Sequence, residues 1–120
     1  MEWMRLLDYS NPETKKVTKY IISSIVESNI KYVANSEDEQ ERITLLKKSS
    51  DDVSIFFFED YIYITAKLSV YAYKGLITDL LIIQKQVMEE IRLFTGLICE
   101  GVNLQIEKCM LMAGEKKKDA

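Results

Sequence analysis

From Tyr61 to Tyr73 the chain alternates without a break between two kinds of side chain. Ile62, Ile64, Ala66, Leu68, Val70 and Ala72 fall in one series, and Tyr61, Tyr63, Thr65, Lys67, Ser69, Tyr71 and Tyr73 in the other. A period of two is the signature of an extended strand, whose successive side chains point to opposite sides. The apolar series must therefore line a core, and the tyrosine-rich series forms an amphipathic outer face. The run "VSIFFF" precedes it, separated only by Glu59 and Asp60. That spacing predicts a hairpin of strands 53–59 and 61–73, although Glu59 and Asp60 are not the residues such a tight turn prefers.

After Gly75 the period changes to that of a helix. Ile77, Leu80, Leu81, Val87, Met88, Ile91 and Phe94 share one broad face, while Thr78, Lys85 and Glu89 lie mostly opposite. A helix over 76–95 is predicted to pack on the apolar side of the sheet. Gln84 falls inside that face, so its amide is expected to meet backbone at the sheet edge, because a buried unpaired amide costs about 1–3 kcal/mol. Gly96 suits the left-handed residue that closes a helix, with Leu97 folding back against the last turn. Beyond it, Val102, Leu104 and Ile106 alternate with Asn103, Gln105 and Glu107, which predicts a strand over 101–109. Gly101, just before the alternation, allows a bulge or a close backbone approach.

The N-terminal half is read from its punctuation. "SNPE" starts a helix over 11–29, either through a capping box of Ser10 with Glu13 or through Asn11 as cap with Pro12 in the first turn. Val17, Ile21, Ile25 and Val26 then supply a buried stripe. "IKYVA" and "RITLLKK" read as strands separated by the acidic run "NSEDEQE". That run, with Glu37, Asp38, Glu39 and Glu41, is a solvated loop; it lacks the alternating oxygen ligands and the glycine of a calcium site. Trp3 to Tyr9 adds a short apolar strand. The expected fold is α+β: a single domain over residues 1–113, with one mixed or mostly antiparallel sheet of about five strands (3–9, 42–48, 53–59, 61–73 and 101–109). Two helices pack on its apolar face. Residues 114–120 are expected to form a disordered, solvated basic tail.

Composition limits the chemistry. A chain of 120 residues suits one core. The net charge of −3 argues against broad attraction to nucleic acid or to an anionic membrane. Cys99 and Cys109 have no close-spaced partner, and the chain holds no histidine. A zinc site, a disulfide within one strand and a histidine-assisted nucleophile are therefore not expected. No glycine-rich phosphate loop or nucleophile elbow occurs. The expectation is a protein with no catalytic, metal or cofactor residues, with both thiols reduced. The start "MEWMRLLDYSNPE" has neither the basic opening nor the apolar run of a signal peptide, which predicts a cytoplasmic protein.

Three segments together carry a resemblance. "VSIFFFEDYIYITAKLSVYAYKG", then "IIQKQVMEEIRLFTGL", then "VNLQI" resemble, over residues 53 to 109, the second half of the alkaline-shock, or Gls-type, envelope stress response family of Gram-positive bacteria. Gln84 with Val87, then Thr95, Gly96 and Leu97, then Val102, Asn103, Leu104 and Ile106 follow that family's order and spacing, as in a divergent member. The resemblance implies a general-stress, non-enzymatic scaffold in the cytoplasm. Such a protein self-associates as a homo-oligomer or docks to a membrane-anchored partner at the inner face of the envelope. The candidate interaction face is Tyr61, Tyr63, Lys67, Tyr71 and Tyr73, since tyrosine gives large contact area at low entropic cost. A second reading takes the same face as a single-stranded nucleic-acid platform, on which the rings stack bases beside Lys67.

Overall fold

A computed structural model describes residues 11–35, 41–59 and 61–111. The element order is α1 (Pro12–Ala34), β1 (Ile43–Leu45), a 3-10 turn (Ser50–Asp52), β2 (Val53–Phe58), β3 (Tyr61–Ala72), α2 (Leu76–Thr95) and β4 (Ile98–Leu111). The fold is α+β, with two helices packed on a sheet of four described strands. The predicted strand 3–9 and the tail 114–120 lie outside the described residues, as does most of the acidic run. Of that run, Glu41 is described; it is exposed and 3.5 Å from Lys48 Nζ.

β3 is the centre of the sheet. Phe58 pairs with Tyr61 and Val53 with Ala66, so β2 lies antiparallel along the first half of one edge of β3. β1 continues the same edge, antiparallel, with Ile43 opposite Val70. β4 runs parallel to the other edge, from Tyr61 opposite Ile98 to Ala72 opposite Leu111. The sheet is therefore mixed. Parallel neighbours need a crossover, and α2 supplies it. Ile62, Ile64, Ala66, Leu68 and Val70 form the floor of the core, against Ile22 and Val26 of α1 and Ile83, Val87 and Ile91 of α2.

Helix α2 has the predicted bounds, but its buried stripe is narrower than the broad face expected. Leu80, Ile83, Val87 and Ile91 are buried, whereas Ile77, Leu81 and Phe94 are exposed. The helix end is as the sequence predicts. Gly96 has φ 76, its N–H donates to Arg92 O at 2.9 Å, and Leu97 is buried. The Thr95 hydroxyl donates to Ile91 O at 2.6 Å and accepts from the Leu97 N–H at 3.1 Å.

Helix α1 agrees with one of the two start signals and departs from the reading in two other ways. Asn11 is the cap, accepting from the Glu13 N–H at 2.8 Å with Pro12 following, which decides between the two start signals. The helix does not stop at Asn29 but runs to Ala34, so "IKYVA" is helical rather than a strand. Asn29 is buried, and its amide donates to Ile25 O at 2.9 Å and to Glu90 Oε1 of α2 at 3.2 Å. A contact from the other helix thus holds it inside α1. The buried stripe is also displaced. Ile25 and Val26 are buried, but Val17 and Ile21 are exposed, and Thr18, Ile22, Ile30 and Ala34 complete the face. The row Ile22, Val26, Ile30, Ala34 is visible only when the helix is given its full length.

Two strand limits also change. β1 ends at Leu45 rather than at Lys48, because a buried carboxylate organises the turn. Asp52 Oδ2 accepts from the Lys47 N–H at 2.8 Å and the Ser49 N–H at 3.3 Å, and Lys48 adopts φ 53. β4 is longer than 101–109, since its pairing with β3 begins at Ile98, before Gly101.

Candidate interaction surface

The alternation of β3 leaves one face of the sheet without a helix among the described residues. Tyr61, Tyr63 and Lys67 are exposed there, and Thr65, Ser69 and Tyr71 are half-buried. Neighbouring strands enlarge this face at one end. Antiparallel register sets Phe58 beside Tyr61 and Phe56 beside Tyr63, whose ring centroids are 6.2 Å apart at a tilted angle. On the other flank, Ile98 lies beside Tyr61 and Gly101 beside Tyr63. The result is a contiguous apolar patch in which Phe56 is 62% exposed, Phe58 56%, Tyr63 46%, Ile98 42% and Tyr61 37%.

Of the two roles its position allows, Gly101 shows the bulge, and the backbone approach beside it is at ordinary contact distance. β4 carries a bulge here, because Ile62 pairs with Cys99 while Tyr63 pairs with Gly101, leaving Glu100 as the extra residue. The Tyr63 ring approaches the bare backbone, and a Cβ at Gly101 would lie 3.7 Å from Tyr63 Cδ1.

The sequence-predicted residues separate into two groups. Tyr61, Tyr63, Lys67 and Tyr71 belong to the open face. Tyr73 does not, which corrects its assignment to that face. β3 ends at Ala72, and the Tyr73 hydroxyl donates to Asp79 Oδ2 at 2.6 Å, in the first turn of α2. Its ring packs against the core with the Arg42 guanidinium 5.0 Å from its centroid. Burial and the bond to Asp79 push its hydroxyl well above the ordinary tyrosine range. It is a strut between strand and helix. Gln84 donates to Val102 O at 2.8 Å, the backbone contact at the sheet edge that its place in an apolar face demanded. Asn103 is exposed on β4 opposite Thr65, at the margin of the open face. Phe56, Phe58 and Ile98 are the surface residues that the sequence reading missed. The first two follow from a two-residue hairpin loop, whereas Ile98 depends on the parallel register of β4.

The remaining chemistry is sparse. Cys99 is buried, and burial raises its thiol above the usual range, while Cys109 is exposed; both are free. A cavity of about 700 Å³ lies between α1 and β1, with Glu27, Lys31, Glu41 and Lys48 among its lining residues. These charges alternate in sign, and Lys48 Nζ lies 3.5 Å from Glu41 Oε1. Among the described residues, no three His, Cys, Asp or Glu side chains cluster as a metal site, and no helix is long and apolar enough to cross a membrane. Comparison with protein-family models, curated proteins and solved structures finds no significant match to this chain.

Proposed function

We propose that this protein is a non-catalytic, cytoplasmic scaffold of the envelope stress response, associated with the inner face of the membrane through self-association or a membrane-anchored partner, with its open sheet face making protein contacts. One observation carries the reading: a contiguous row of exposed rings and an isoleucine on paired strands. The largest apolar patch on a protein surface is often functional, and this one is rimmed by polar residues. The alkaline-shock-like order of Gln84, Thr95, Gly96, Leu97 and Asn103 supports the stress-linked setting.

The second reading, stacking of single-stranded nucleic acid, rests on the same rings. Electrostatics disfavour it. Lys67 and Lys108 are offset on the same sheet by Glu100 and Glu107, and Glu59 lies in the adjoining hairpin turn. Few phosphates would then be neutralised, and counterion release, the main source of non-specific affinity, would be small.

The two readings part in one pair of measurements. In fractionated native cells, the wild-type protein is expected with the membranes, released by an alkaline wash, and the Tyr63→Glu/Tyr71→Glu variant in the soluble fraction. Titration of the purified protein with a labelled single-stranded RNA is expected to show no micromolar binding. A wild type wholly in the soluble fraction that binds RNA with steep salt dependence would put the stacking reading in its place.

A further inference from the structure

We propose that a second copy of this chain covers the aromatic end of the open face. The sheets would pack face to face about a two-fold axis that crosses the strands near Tyr63. This rests on the interaction reading and names the occupant of that face.

Area sets the scale. The exposed parts of Phe56, Phe58, Tyr61, Tyr63 and Ile98 together amount to on the order of 500 Å², near the upper limit for the largest patch on a monomer. A stable interface takes about 800 Å² from each partner, with an apolar centre and a polar rim. The bordering Ser54, Thr65 and Asn103 supply hydroxyl and amide groups for such a rim.

Charge then chooses between two arrangements. No charged side chain lies among the five patch residues. Lys67 follows Tyr63 by four positions along β3, and Glu59 lies in the hairpin turn just beyond the Phe58–Tyr61 pair, so opposite charges stand at the two ends of the patch. Aligned sheets keep their strands within about 30° of each other, either co-directional or opposed. Co-directional packing would stack Lys67 on Lys67 and Glu59 on Glu59. Opposed packing sets each Lys67 over the Glu59 of the other copy, and this is the arrangement the charges favour. Glu100 stays at the β4 margin, where solvent screens it.

The outer edge of β4 points the same way. Register shifts after Ile62 and Leu68 leave Glu100 and Glu107 as unpaired bulge residues, and Lys108 follows directly. Bulges and charges are the devices that keep an edge strand from pairing with another chain. Association through the open face gives a closed pair instead of a growing sheet.

Sedimentation equilibrium of the full chain tests this across micromolar concentrations, with circular dichroism to verify folding. The wild type is expected to be a dimer, and Tyr63→Glu to weaken it at least a hundredfold, since two carboxylates would enter the apolar centre. Lys67→Glu or Glu59→Lys alone should weaken it about three- to tenfold, and the double exchange should restore most of the loss. A wild type that is monomeric throughout overturns the proposal. A dimer weakened by Tyr63→Glu but not rescued by the double exchange overturns the opposed arrangement and leaves the interaction reading standing. A dimer indifferent to Tyr63→Glu overturns both.

Discussion

The two faces of β3 are built from one alternating run, yet they have opposite fates. Ile62, Ile64, Ala66, Leu68 and Val70 lie under α1 and α2 at no more than 1% exposure, while Tyr61, Tyr63 and Lys67 stand in the open. Alternation divides the side chains; it does not say which set will be covered. The helices decide that, because α1 and α2 both carry apolar stripes and both lie on the same side. The open face then receives residues that tolerate water and still offer area: tyrosine, threonine, serine and lysine. Phe56, Phe58 and Ile98 break that rule, and their exposure is the observation on which the proposed interaction reading rests.

The largest predicted effect measures how far the faces differ. Leu68→Ala removes a fully buried side chain from the floor of the core and should cost about 2–5 kcal/mol. Tyr63→Ala should change stability by no more than about 0.5 kcal/mol when measured on dilute monomer. Urea denaturation of both variants gives the comparison directly. Similar losses would mean that the tyrosine face contributes to the fold itself, and the contrast between the two faces would collapse.

Gln84 tests the seam where α2 meets β4. Its amide donates to Val102 O at 2.8 Å from within a helix face that is otherwise largely apolar. Gln84→Ala leaves that carbonyl to find another donor and should cost about 1–3 kcal/mol, the range for a buried group left unpaired. The loss should appear in thermal unfolding. An unchanged melting temperature would show that water replaces the amide, and that the seam is more open than the core beside it.

How much of this was legible follows the range of the interactions concerned. β2, β3 and α2 are consecutive, and each is marked by its own period or by a glycine, so the bounds of α2, the strands to within a residue, and the inward set of β3 could be read locally. The end of α1 could not. Asn29 has the composition of a stop, but its amide is taken up by Ile25 O within α1 and by Glu90 of α2, far along the chain. The short β1 depends on the Asp52 carboxylate reaching back to Lys47 and Ser49. Tyr73 followed the alternation in sequence, but the strand ends one residue earlier and Asp79 draws its hydroxyl toward α2. On the open face the tyrosines were readable from β3 alone. Ile98 was not, because a parallel partner brought by a crossover has no turn to set its register.

The smallest predicted effects come from the two glycines in "FTGLICEGV", which look alike in sequence and differ in physical role. Gly96 closes α2 at φ 76, a conformation that costs an ordinary L-residue roughly 1–2 kcal/mol. Gly96→Ala should therefore destabilise by about 1 kcal/mol. Gly101 has no such constraint. Its added methyl would stand at ordinary contact distance from the Tyr63 ring, 3.7 Å from Cδ1, on the open face. Replacing a strand glycine also removes freedom from the unfolded chain, so Gly101→Ala should be neutral or stabilising by up to about 0.5–1 kcal/mol. Thermal melts of the two variants, at concentrations where the protein is monomeric, should move in opposite directions or leave Gly101→Ala unmoved. A loss at Gly101 as large as that at Gly96 would show that the bulge beside Tyr63 needs a bare backbone. The aromatic face would then be tied to the fold more tightly than its exposure implies.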